Sequence, residues 1–446
     1  MWLKRLLSRD HANFAVLLSV SAQAWMALAG PVTIVAVAHA LAPEVQGFYY
    51  TFISVLAIQV FFELGLATVL VQLASHEWAS LYLSADGRIE GSLQARSRLR
   101  GIAGLALRWY AGASVLLAVI FIFGGNCFFA NHSEHAVSWR LPWCLLSLAT
   151  AAYLVATPLI SIIEGCNQVV SIYRIRLIQS VLSSLVIIAG LLGGLGLYSL
   201  ALGASTRLVI VLYWLIGPQR QFVHMLLFGD VSAKVDWFTE IWPFQWRIAI
   251  SWLSGYFIFS IFTPVMFKYH GPVVAGQMGM TLSLVGAIES VAFSWLSTRA
   301  PEFGGLVARR QFTILDRVFL RGLKLALGTA VLGGGVVVIG IGLLDCRYPT
   351  YAGRMLPLLP VGLLVLYRVI NVAISGLALY LRAHKREPLV SVSVVTALLV
   401  GSTTYFAGRY SDALGVAFGL LALTLLWTLP ASLAVFFRCR SRWHTL

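Results

Sequence analysis

Residues 14–38 read FAVLLSVSAQAWMALAGPVTIVAVA, 25 consecutive positions without one Asp, Glu, Lys or Arg. As a helix rising 1.5 Å per residue, such a run spans the roughly 30 Å hydrocarbon layer of a bilayer. Similar blocks recur along all 446 residues, of which 59% are hydrophobic and 11% charged. A soluble protein carries roughly 25% charged residues. Lipid offers a backbone no hydrogen-bond partners, so each block has to be helical. Lys4, Arg5 and Arg9 precede the first block, and Ala38-His39-Ala40 imitates a signal-peptidase site. The block exceeds the roughly 7–15 residues of a signal core, so it reads as an uncleaved first helix.

Working outward, the pattern predicts about twelve transmembrane helices at 14–39, 48–72, 102–124, 141–164, 175–196, 198–216, 241–265, 273–297, 322–344, 357–381, 389–408 and 413–437. The net charge of +15 suggests a nucleic-acid partner only until the cations are placed. With the N-terminus inside, 23 Lys and Arg fall in cytoplasmic segments and five in outer loops (Arg140, Lys268, Arg347, Arg354, Arg409). That bias follows the positive-inside rule, puts both termini in the cytoplasm, and leaves no reason to invoke nucleic acid. The Arg-rich segments near 73–101 and 298–321 read as loops lying on the anionic inner leaflet.

The most polar mid-chain break, 217–240, divides an N-lobe (1–216) from a C-lobe (241–446), six helices each. Pro43-Glu44-Val45-Gln46-Gly47 and Pro272-Val273-Val274-Ala275-Gly276 repeat at an offset of 229, and each precedes an apolar helix carrying one acid. The expected architecture is an all-α membrane fold of two pseudo-symmetric six-helix lobes, a common transporter construction.

The stretch Leu41-Ala42-Pro43-Glu44-Val45-Gln46-Gly47-Phe48-Tyr49-Tyr50, followed by Phe62-Glu63-Leu64-Gly65-Leu66-Ala67, resembles the first two helices of polysaccharide exporters and O-antigen flippases. Those belong to the multidrug/oligosaccharidyl-lipid/polysaccharide transporter superfamily. Tyr380-Leu381-Arg382-Ala383-His384-Lys385-Arg386-Glu387-Pro388 resembles the tenth–eleventh loop of lipopolysaccharide-export members. The resemblance implies a V-shaped fold of two six-helix lobes around a central cavity that flips a lipid-linked oligosaccharide across a bacterial inner membrane, with membrane lipids and polysaccharide polymerase or chain-length machinery as partners. The related peptidoglycan-precursor flippases place cavity arginines on their first helix; the first helix here has none, so those roles do not carry over.

Ionisable residues inside the spans are the candidate site. An arginine at a helix centre costs roughly 2.5–3.5 kcal/mol on insertion scales. Arg207 is central in the sixth helix, Arg368 in the tenth with Asn371 one turn on, and Arg247 lies in the cytoplasmic third of the seventh. They either fasten the bundle by pairing with acids or bind a phosphate head group through the guanidinium fork. Glu63 and Glu289 are either proton-coupling carboxylates or partners for those arginines. Arg108 reads as a snorkelling residue.

The tryptophans, Trp109, Trp139, Trp143, Trp242, Trp246 and Trp443 among them, read as interfacial anchors, and mid-span Trp25 as packing or a sugar contact. Gly333-Gly334-Gly335 reads as close helix packing, there being no phosphate-loop motif. The five cysteines show no metal-binding spacing; Cys127 and Cys346 read as dispersed small apolar residues, with a disulfide as the alternative. No cofactor, metal or catalytic residue is expected. Two competing readings are an ion-coupled drug or metabolite exporter and a membrane polysaccharide polymerase or ligase. The first calls for an acid-rich cavity and the second for a sizeable outer loop.

The charge bias predicts that 1–13, 217–240 and 438–446 face the cytoplasm. With the five native cysteines replaced by serine, a cysteine introduced at Asp230 should resist an impermeant thiol reagent outside intact cells and react after permeabilisation; labelling of intact cells would refute this orientation.

Overall fold

A computed structural model describes residues 2–84, 88–130, 137–228, 236–384 and 386–444; the side chains of 2–13, 15, 16, 243, 244, 247 and 444 lie outside that description. Asp230, Lys234 and Lys385 fall outside it altogether. The fold is all-α and membrane-spanning, apart from one antiparallel hairpin pairing Leu81–Leu83 with Ile89–Gly91. Among the described residues, eleven helical stretches are long and apolar enough to cross a bilayer. One of them, Ile248–Ala308, has 61 residues. At 1.5 Å per residue it would extend about 90 Å, roughly three bilayer thicknesses, so it comprises more than one crossing. Its helical geometry breaks at Gly271 (φ 82°), immediately before Pro272, where the sequence places the turn between the seventh and eighth helices.

Several elements extend beyond the hydropathy pattern, because intrahelical hydrogen bonding continues where apolarity ends. The third crossing starts at Leu93 rather than 102, and the ninth runs Phe312–Arg347 rather than 322–344. The expected surface loops are consequently structured: Leu66–Trp78 and Ala300–Ala308 are helices. The second crossing is not continuous. Pro43–Leu56 leads through a 3₁₀ turn to Val60–Glu63, and then Leu64 (φ 47°) and Gly65 (φ 67°) turn left-handed before the helix resumes. The side chain of Ile248 occupies the place where a Cβ on residue 65 would stand.

The chain packs as two compact units, 1–36 with 56–253 and 37–55 with 254–446. The second unit therefore holds both Pro-x-x-x-Gly turns, and they meet. A Cβ on Gly47 would run into the Pro272 carbonyl, and one on Gly276 would stand 2.9 Å from the Gly47 nitrogen. Gln46, buried beside them, donates its side-chain amide to the carbonyls of Gly276 (3.0 Å) and Arg354 (2.9 Å). Gly333 and Gly334 do allow close packing, against Ile288 and Val365. The remaining core of this unit centres on Leu296, Phe319, Tyr380 and Phe436.

In the first unit, Trp139 and Trp143 are core residues rather than interfacial anchors. Trp143 is fully buried against Phe121 and Phe129, and its indole N–H donates to the Phe121 carbonyl at 2.7 Å. All five cysteines are free.

Overpacking a core by a methylene costs about 1–3 kcal/mol, and Gly47→Ala sets its methyl against backbone that no rotamer change relieves. Gly47→Ala should therefore collapse the monodisperse peak in detergent size-exclusion chromatography. Gly30→Ala, with nothing within 4 Å of its added carbon, should leave the peak intact.

Candidate functional site

Within the first unit, the helices Val169–Leu192 and Tyr198–Ile216 pack side by side, joined by a tight turn through Gly193-Gly194. Gln179 and Ser183, four residues apart, share the face toward the second of these helices. Both are buried. Ser183 accepts from Arg207 Nε at 3.1 Å, and Gln179 donates its amide to the Arg207 carbonyl at 3.0 Å. The next residue, Ser184, accepts from the indole N–H of Trp25 at 2.8 Å. Trp25 is thus hydrogen-bonded within the protein rather than simply packed in lipid.

Arg207 is the tenth of nineteen residues in its helix, its side chain is exposed, and it takes part in no ion pair among the described residues. Among the described residues its guanidinium donates only to a neutral hydroxyl through Nε, which leaves the terminal amino groups to meet an anion. The sequence reading singled out Arg207 and Trp25 but missed Gln179, Ser183 and Ser184. The only signal for them was polar residues at i, i+4 and i+5 inside an apolar helix.

Arg368 is arranged differently. It is buried in Leu358–Ala383, donates Nη1 to Glu289 at 2.6 Å, and lies over the rings of Phe259 (5.8 Å) and Tyr367 (5.5 Å). Asn371 turns back to the Tyr367 carbonyl at 2.9 Å. Glu289 and Arg368 thus adopt the fastening geometry, tying Phe262–Ser297 to Leu358–Ala383. The backbone of Arg247 lies in Trp242–Phe259, and its side chain is outside the described residues.

Glu63 is half-buried at the last helical residue before the Leu64-Gly65 break, and forms no ion pair among the described residues. The neighbouring Phe62 carbonyl receives the Trp109 indole N–H at 3.3 Å. Discontinuous helices of this kind expose backbone dipoles and mark binding sites in membrane transporters.

At the far end of the same unit, Arg98 holds Glu77 (2.9 Å) and Glu240 (2.5 Å) together, and Arg100 donates to the Met225 carbonyl at 2.7 Å. These cations, read from sequence as lying on the leaflet, are engaged inside the protein because the helix begins earlier than hydropathy suggests. Arg98, Glu77 and Glu240 line a cavity of about 680 Å³ with Gln72, His76 and Thr239.

No protein-family model matches the chain, and no curated protein sequence does either. The fold nevertheless recurs in solved membrane proteins. The chain is similar to a multidrug resistance MATE family transporter of the MOP superfamily in its inward-facing conformation (TM-score 0.67, 12% identity, 94% of this chain and 95% of that one). It is similar to the lipid II flippase MurJ in an inward-closed conformation (TM-score 0.62, 14% identity, 96% and 90%). A third similar structure is a MOP superfamily transporter from Pyrococcus furiosus Vc1, whose reversed binding-pocket polarity suggests a different function (TM-score 0.55, 14% identity, 96% and 95%). At such identities the likeness establishes the fold.

Removing one partner of a buried ion pair costs about 3–5 kcal/mol, whereas replacing both by apolar residues is often neutral. Glu289→Ala should therefore lower the detergent melting temperature markedly, and the double variant Glu289→Leu/Arg368→Met should recover most of the loss. Wild-type stability in the single variant would show that the pair does not fasten these helices.

Proposed function

We propose that this protein is a transporter that flips a polyprenyl-(pyro)phosphate-linked oligosaccharide from the cytoplasmic to the outer leaflet of a bacterial inner membrane. Both termini are cytoplasmic in this reading, and the product feeds surface polysaccharide or lipopolysaccharide assembly. The six-helix duplication, 1–216 and 241–446 joined by 217–240, belongs to the same proposal.

Arg207 carries the reading. A guanidinium in mid-membrane, hydrogen-bonded to Ser183 and without a carboxylate among the described residues, calls for an anionic ligand as its counter-charge. Phosphate matches the guanidinium fork through two parallel hydrogen bonds. A phosphate crossing bare hydrocarbon would forfeit its hydration, and a polar site replaces much of it. The inside-negative potential adds up to ~2.3 kcal/mol per 100 mV for each negative charge moved outward. The shared fold with a lipid II flippase supports a lipid-linked cargo. Arg368 is held by Glu289, so Arg207 is assigned the primary phosphate contact, with Arg247 as a second candidate.

One observation favours the alternative, an ion-coupled exporter of cationic drugs or metabolites: the half-buried Glu63 at a helix break, in no ion pair among the described residues. In the flippase reading Glu63 takes up a proton during the return step.

A hydrogen bond to a charged group is worth about 1.5–3 kcal/mol, or roughly 10–100-fold in binding. In cells depending on this protein, Arg207→Ala should accumulate lipid-linked oligosaccharide on the cytoplasmic leaflet while inserting normally, and Arg207→Lys should restore export in part. Wild-type surface polysaccharide in Arg207→Ala, together with drug sensitivity in Glu63→Gln, would replace this reading with the exporter.

A further inference from the structure

We propose that the cytoplasmic end of the last helix forms a site for the phosphate of an anionic membrane phospholipid, separate from the transported cargo. The helix Leu429–His444 places Arg438, Cys439, Arg442 and Trp443 on one face, at i, i+1, i+4 and i+5. Together with Arg386, Glu387 and Pro388 from the preceding turn they line a cavity of about 440 Å³. Three arginines face one carboxylate, and Glu387 is itself engaged by Arg382, which stands outside the lining, at 3.4 Å. The cavity wall therefore carries surplus positive charge.

Neighbouring Arg440 shows what the other face of the helix does. It points away from the cavity and holds Asp316, with Nη2 at 2.6 Å, while Tyr380 donates to the same carboxylate at 2.6 Å. That clasp anchors the helix that carries Arg438 and Arg442 into the cavity wall. Trp443 is positioned from two sides, by His384 with ring centres 4.7 Å apart and by the Arg386 guanidinium 5.7 Å from its ring. The site has a built wall as well as charge.

Its depth identifies the occupant as a lipid. The apolar crossing Ala413–Trp443 ends here, and Phe437, exposed one residue before Arg438, marks where the hydrocarbon-facing surface stops. A tryptophan at that level sits at the membrane interface, where phospholipid phosphates lie. Arginine forks suit a phosphodiester, and basic pockets at the cytoplasmic ends of transmembrane helices meet an anionic leaflet.

The test is native mass spectrometry of the purified full-length chain titrated with dioleoylphosphatidylglycerol, using dioleoylphosphatidylcholine as the neutral-headgroup comparison. Wild-type protein should retain the anionic lipid preferentially. Arg438→Gln/Arg442→Gln should weaken that retention by about tenfold or more, Arg438→Lys/Arg442→Lys should keep much of it, and Arg309→Gln/Arg310→Gln should leave it unchanged. Equal retention by wild type and the 438/442 glutamine variant overturns the site, as does equal weakening by the 309/310 variant, which would mean a diffuse charge effect. Displacement of the lipid by millimolar inorganic phosphate overturns the lipid assignment in favour of a soluble phosphate. These binding readouts are independent of transport, so they separate this site from the export reading.

Discussion

A backbone crossing hydrocarbon has no water to satisfy its polar groups, and much of this structure follows from how it meets that constraint. Where a helix is regular, its own ladder suffices. Where helices are broken or closely approached, side chains from elsewhere in the fold donate to the backbone: Trp109 to the Phe62 carbonyl, Gln46 to those of Gly276 and Arg354, Trp143 to that of Phe121 and Gln179 to that of Arg207. Each of these bonds also joins residues distant in sequence, so satisfying the backbone and holding the bundle together are accomplished by the same contacts.

The same constraint sorts the charges. Arg368 is neutralised by Glu289 and flanked by aromatic rings, an arrangement that suits a buried structural cation. Arg440 and Arg98 are fixed by carboxylates nearer the helix ends. Among the described residues, the Arg207 guanidinium has only a serine hydroxyl. A residue type that is costly in every one of these places becomes functionally informative only when its counter-charge is identified, and that separates Arg207 from the others.

The broken second crossing shows a related economy. Phe62-Glu63-Leu64-Gly65 forms two left-handed residues in the middle of an apolar segment, with Ile248 filling the space that a side chain at 65 would need. Backbone strain of this kind persists only when its surroundings over-determine it. Here the surroundings present a carboxylate at the end of a half-helix, a position that a continuous helix would bury differently.

Much was legible in the sequence because lipid imposes a simple rule on it. Uncharged runs of about 20 residues announced the crossings, and Pro272 announced the turn at which the stretch Ile248–Ala308 breaks. These features depend only on local composition and spacing. Hydropathy did not reveal where helices extend past the apolar zone, since hydrogen bonding rather than apolarity sets their ends. Nor did it reveal that Trp143 is core, because an indole near a span end has the same local context whether its neighbours are lipid or Phe121 and Phe129. Apart from Arg382 and Glu387, five residues apart, the ion-pair partners among the described residues lie 12 to 142 residues away in sequence, and no local pattern encodes such pairings. Composition alone determined that this chain spans a membrane and carries a few costly cations within it; only the tertiary packing decided which of them is neutralised by a carboxylate, because a counter-charge is a matter of proximity in space.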